Sequence, residues 1–167
     1  MQDFTFPLSP AVIDVAGKSQ GFGFFASQPT EGLYSFQNGF DAGSASNLTL
    51  SKTMLWTART MTFTYKYAWD LQSFCGSTCL PRIFSVNFYD SISGMLVYSQ
   101  QILNSSGLPQ IYNSTSPWIG SVDASSVVGM TVRAEFLWIV PEASTGPAFF
   151  ELDNIQYLNC GKFIRDH

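Results

Sequence analysis

Thr60-Met61-Thr62-Phe63-Thr64-Tyr65-Lys66-Tyr67-Ala68-Trp69 places a large apolar or aromatic side chain at every odd position and Thr, Lys or Ala between them. Successive side chains of an extended chain point to opposite faces, so this alternation makes a strand with one buried face. Phe84, Val86 and Phe88 repeat the pattern, with Ser85 and Asn87 turned outward. Met130, Val132, Ala134, Phe136 and Trp138 repeat it again around Thr131, Arg133 and Glu135. Further strands are expected at Ala11–Val15, Gly21–Ala26, Gly32–Gln37, Asn47–Leu50, Gly94–Leu103, Trp118–Val122 and Pro147–Leu158.

Turn chemistry separates these runs: Gln37-Asn38-Gly39, Asp90-Ser91-Ile92-Ser93-Gly94, Asn104-Ser105-Ser106-Gly107 and Glu142-Ala143-Ser144-Thr145-Gly146-Pro147. Short strands with frequent turns predict an all-β fold, a two-sheet antiparallel β-sandwich of the jelly-roll type. No long stretch has helical periodicity, and Ser121–Gly129 has room for one short helical turn. The expected division is an N-terminal arm or edge strand over 1–10, a sandwich over 11–161 and a tail over 162–167. In the arm, Phe4, Phe6 and Leu8 alternate with Asp3, Thr5 and Pro7. Proline cannot donate to a ladder, so this segment belongs at an edge, of its own sheet or of a neighbouring copy's.

Charged residues make up 12% of the 167, against about 25% in an average soluble domain. Net charge is −4 and no basic cluster occurs, which argues against nucleic acid and anionic membrane as partners. No run is long enough to cross a bilayer as a helix. Three acceptor motifs for N-linked glycans are present, at Asn47, Asn104 and Asn113, none with an intervening Pro. Few charges and three such motifs point to an extracellular location, with glycans or other subunits covering part of the surface. Met1-Gln2-Asp3-Phe4 lacks a basic n-region and an unbroken apolar core, so secretion requires a leader removed upstream. Cys75 and Cys79 bracket Gly-Ser-Thr, a spacing that allows a local disulfide, with Cys160 left free or joined between chains.

Fifteen Phe, seven Tyr and four Trp exceed what one core needs, so some are expected on a contact surface. Tyr65, Tyr67 and Trp69 are assigned to the core, and Trp56, Tyr98, Tyr112 and Trp118 to a possible glycan-stacking platform. His167, the only histidine, is the last residue, which argues against triad chemistry. A zinc set from Cys75, Cys79, Cys160 and His167 has unusually wide spacing. Glu135 and Glu151 are the carboxylates able to share a sheet face, as glycoside hydrolysis would require, yet acids do not cluster at strand ends.

The closing segment Ala148-Phe149-Phe150-Glu151-Leu152-Asp153-Asn154-Ile155-Gln156-Tyr157 resembles the last strand of jelly-roll modules in the galactose-binding-like and carbohydrate-binding-module group. The order of strands over about residues 20–158 is similar too. The resemblance implies a two-sheet sandwich that binds glycan or protein. It also implies a possible structural calcium, with Asp153 as the carried-over ligand and Asp14 and Glu31 as acidic candidates lacking the family's spacing. No other cofactor is expected. The combined expectation is a non-enzymatic, secreted, glycosylated subunit that associates with copies of itself, into a fibre if the arm adds to a neighbour's sheet. The alternative is a lectin-like module for extracellular carbohydrate.

Overall fold

The computed structural model describes residues 2–3, 17–20, 23–25, 35–40, 45–141 and 148–158. Its strands are β1 (Gln2–Asp3), β2 (Gly17–Gln20), β3 (Gly23–Phe25), β4 (Ser35–Phe40), β5 (Ser46–Leu55) and β6 (Thr60–Asp70). They continue as β7 (Ile83–Asp90), β8 (Leu96–Asn104), β9 (Ile111–Asn113), β10 (Trp118–Asp123), β11 (Thr131–Val140) and β12 (Ala148–Leu158). The helical elements among the described residues are two single turns, Gly76–Thr78 and Ser125–Val127. None is long and apolar enough to cross a membrane.

All strand pairs are antiparallel, in two sheets. One has the order β10-β6-β12-β4-β3, with β9 also on β6 and β1 on β12. The other has the order β2-β5-β11-β7-β8. The β6 stretch alternates as read: Met61, Phe63, Tyr65, Tyr67 and Trp69 are all buried, and the residues between them are half-buried. Facing them from the second sheet are Phe84, Val86 and Phe88 of β7 and the even positions of β11 from Val132 to Val140.

Aromatic rings join the two layers. Phe63 meets Phe136 edge-on at 5.2 Å between ring centroids and Phe84 at 5.8 Å. Phe150 lies 4.5 Å from Phe84 and 4.8 Å from Trp138. Such pairs contribute about 0.5–1.5 kcal/mol each beyond the apolar area they bury. Among the described residues, twelve aromatic side chains are buried in the core. Of the four tryptophans, only Trp118 is exposed.

Two local features depart from simple alternation. Gly120 of β10 is opposite Phe63 of β6, and a Cβ there would overlap the Phe63 ring, so the core needs a glycine at this place. In β12, Asp153 pairs with Thr64 and Gln156 with Thr62, so three steps on β12 match two on β6. The extra residue is a β-bulge built on Asn154, whose φ of 47° is in the left-handed region that Asn tolerates. Phe150 and Leu152 point inward before it, and Ile155 and Tyr157 after it.

Gln37-Asn38-Gly39, expected as a turn, lies inside β4, with Asn38 opposite Phe150 and Gly39 opposite Phe149. Pairing of all three residues with β12, and of Gln37 also with Gly23 of β3, outweighs the local turn preference. Gln2 and Asp3 pair with Tyr157 and Gln156 of the same chain. The chain's first described strand thus sits on its own sheet. Phe4, Phe6, Leu8 and the strand expected at Ala11–Val15 lie outside the described residues, as do Asp14, Glu31, Cys160 and His167.

Candidate functional site

The outward face of the five-stranded sheet gathers polar groups in register. Glu135 of β11 is opposite Ser51 of β5 on one side and Asn87 of β7 on the other, and Asn87 is opposite Ser99 of β8. These four residues form one row across four strands. Ser51, Asn87 and Glu135 are only 5%, 5% and 7% exposed although they face away from the core. That low exposure makes them the floor of the face. Burying polar groups is costly unless they are bonded, and Asn87 and Glu135 both are. The Ser99 hydroxyl donates to Asn87 Oδ1 at 2.7 Å, and the Tyr89 hydroxyl donates to Glu135 Oε1 at 3.3 Å.

The next row is Thr53, Arg133, Tyr89 and Leu96. Arg133 Nη1 donates to Glu135 Oε2, and its guanidinium carbon sits 4.1 Å from the centre of the Tyr89 ring. Arginine, tyrosine and glutamate thereby hold one another in fixed positions. Burial, then the charge and hydrogen bond of Glu135, push the Tyr89 hydroxyl above its ordinary value of 10.0. It therefore remains a donor through neutral pH. On the other side of the floor is the row Thr49, Leu137, Ser85 and Gln101, and beyond it Asn47, Ile139, Ile83 and Asn104.

The residues proposed from sequence separate in space. Trp56 is no platform: it is fully buried, edge-on to Phe88 at 4.9 Å, with its indole N–H donating to the Ala58 carbonyl at 2.6 Å. Tyr112 stacks on Tyr67 at 4.7 Å and is half-buried at the edge of the core. Tyr98 is also half-buried, 6.0 Å from Phe88. Trp118 is 48% exposed on β10, the one member of the set with a free indole surface. No shared platform results.

Glu135 and Glu151 do not share a sheet face. Glu135 is on the outward face of the five-stranded sheet, and Glu151 is on the other sheet opposite Lys66, 3.8 Å from its Nζ. Strand alternation placed both outward, but the two strands belong to different layers, so the pair cannot bracket one glycosidic bond. Asp153 accepts the Asn154 backbone N–H through Oδ1 at 2.7 Å, a bond internal to the bulge. Among the described residues, no group of three or more His, Cys, Asp and Glu converges to hold a metal.

Cys75 and Cys79 are joined in a disulfide, their Cα atoms 5.2 Å apart, around the Gly76–Thr78 turn. Beside this loop a cleft of about 260 Å³ opens against Ser105 and Leu108. Of the acceptor asparagines, Asn113 is opposite Ala68 on the seven-stranded sheet and Asn104 is on the other. Asn47 and Asn104 share a row.

Sequence alternation already turned Ser85, Asn87, Arg133 and Glu135 outward. It did not reveal that β7, β11 and β5 are neighbours, which is what assembles the floor. Tyr89 and Ser51 were missed for the same reason: each looks ordinary until the register aligns it with Arg133 or Glu135.

No protein-family model matches this chain, and no curated protein matches it in sequence. Solved structures do match its shape. TmCBM61, solved in complex with β-1,4-galactotriose, superposes with a TM-score of 0.52 at 7% identity, covering 86% of each chain. The fold is a two-sheet β-sandwich similar to that of this carbohydrate-binding module. A second structure, from work on promiscuous specificity in carbohydrate-binding modules of the β-sandwich superfamily, gives 0.55 at 9% identity over 85% of this chain and 56% of its own. The arabinose-bound α-L-arabinofuranosidase MgGH51 gives 0.51 at 14% identity. The present chain spans 24% of that enzyme. At these identities the likeness concerns the fold alone.

Proposed function

We propose that this protein is a non-catalytic carbohydrate-binding module that works outside the cell. The observation that carries the reading is the row Ser51–Glu135–Asn87–Ser99, polar on an outward sheet face and nearly buried in its first three members, with Arg133 and Tyr89 fixed beside it. A sugar presents hydroxyls in a plane with apolar C–H faces. Amide, carboxylate, hydroxyl and guanidinium groups in fixed positions can bond those hydroxyls without reorganising. Tyr89 and the exposed Leu96 add an apolar margin. The β-sandwich modules of similar fold favour the same reading by analogy. The Cys75–Cys79 bridge supports an oxidising compartment, and the three glycan acceptors agree with it.

Affinity electrophoresis against β-galactan, xylan, arabinan and mixed-linkage glucan tests this directly. Retardation by at least one polysaccharide is expected. The Asn87→Ala and Tyr89→Ala variants should bind it at least ~5-fold more weakly, since a well-packed contact residue carries more than about 1 kcal/mol. No retardation by any polymer, or retardation indifferent to both variants, rejects the reading.

Association of copies is the second reading. It is favoured by exposed apolar side chains along one side of the sandwich: Ile92, Met95 and Leu96 leading into β8, and Trp118 and Ile119 on β10. The two strands come together there, where Gln100 Nε2 donates to the Ser121 carbonyl at 3.1 Å. Sedimentation velocity over a wide concentration range tests it. A single monomer boundary at all concentrations removes it.

A further inference from the structure

Two of the three acceptor asparagines lie in the same register row of the sheet that bears the polar floor. Asn47 is opposite Ile139, Ile139 opposite Ile83, and Ile83 opposite Asn104. Leu48 and Leu103 beside them are buried in the core, so both asparagines are on the outward face. Asn47 is exposed and Asn104 half-buried. Asn104 uses Oδ1 to accept the Ser106 N–H at 2.9 Å, which leaves Nδ2, the atom that carries a glycan, out of that bond. Strands are spaced about 4.8 Å apart, so three spacings separate the two asparagines by roughly 14 Å. Four residues along β5 separate Asn47 from Ser51, again roughly 14 Å at about 3.4 Å per residue. Both anchor points thus stand at one end of the face, on either side of it, within reach of the floor for a bulky chain.

We propose that Asn47 and Asn104 carry N-glycans that stand across one end of the carbohydrate-binding face and restrict the ligands it accepts. The inference rests on the binding function proposed above. Each modification joins an oligosaccharide to Asn Nδ2 through its reducing-end C1, from a polyprenyl-pyrophosphate donor. The C1–O bond to the pyrophosphate breaks, the C1–N bond forms, and the amide gives up one proton. Two effects follow from the positions. Ligand is admitted from the Arg133–Tyr89 end, away from the glycans. An extended polysaccharide lying along the strands meets them, whereas a short oligosaccharide does not. Asn113, on the outward face of the other sheet, provides an internal control.

The full chain secreted from a glycosylating eukaryotic cell tests this, with occupancy at each asparagine read by mass spectrometry. Binding of a polysaccharide and of its tri- to hexasaccharides is then titrated for the wild type, Asn47→Gln/Asn104→Gln and Asn113→Gln. The double variant is expected to bind the polysaccharide at least ~10-fold more tightly, with the trisaccharide and Asn113→Gln unchanged. Enzymatic release of the glycans from the folded wild type should reproduce the gain without any substitution. Empty Asn47 and Asn104, an unchanged double variant, or an equal gain from Asn113→Gln overturns the proposal while the binding function stands. Absence of binding in every form, deglycosylated protein included, overturns both.

Discussion

At single positions, steric fit and backbone conformation make sharp demands. Gly120→Ala should lose about 1–3 kcal/mol, because its methyl group overlaps the Phe63 ring in a packed interior. Urea unfolding followed by tryptophan fluorescence would read that loss, and an unchanged midpoint would mean that β10 moves freely off β6. Asn154→Gly should stay within about 1 kcal/mol of the wild type, since glycine accepts positive φ without a steric penalty. Asn154→Val, branched at Cβ, should cost about 1–2 kcal/mol in the same measurement. Asp90 offers a titration. Backbone and side-chain bonds from Ser93, with a further backbone N–H from Ile92, hold its carboxyl below 3.8. A folded value below the unfolded one means that the ionised form stabilises the turn above about pH 4. That contribution fades as pH falls through the lower, folded value. The melting temperature of Asp90→Asn should therefore lie below the wild type's at pH 7 and converge with it near pH 2.

Strands carry the second scale, and here sequence and structure correspond most closely. β6, β7, β11 and β12 were legible because a buried face imposes a period of two on side-chain chemistry. The bulge was hidden within that regularity: Asp153-Asn154 was noticed for its resemblance and considered for calcium, while its evident work is to add a residue to β12. Asn38-Gly39 misled in the opposite sense, since a strong turn pair was held within β4 by its pairing with β12. β2 and β9 escaped notice because strands of 4 and 3 residues are too short to display a period. Phe150 ties β12 to both β7 and β11, so Phe150→Ala should cost about 3–5 kcal/mol and unfold both sheets together. Near- and far-ultraviolet circular dichroism should then share one lowered melting transition. Separate transitions would show that the layers are independent units.

For the whole molecule, fold class was accessible from composition and alternation, but the candidate site was not. Ser51, Asn87, Tyr89, Arg133 and Glu135 come from three strands, and only long-range pairing order makes them neighbours. The same pairing order separated Glu135 from Glu151 and brought Asn47 into line with Asn104. Trp56 was misassigned to a surface platform because a sandwich with wide interlayer contact absorbs many rings, and this one is fully buried. The added residue at Asn154 also acts beyond its own strand. It changes the phase of the rest of β12, so Ile155 and Tyr157 face the interior where an uninterrupted strand would send Gln156. Gln2 and Asp3 attach to Tyr157 and Gln156, past that change. Deleting Asn154 would turn the tail end of the chain inside out and leave its beginning to dock against the wrong side of the ribbon.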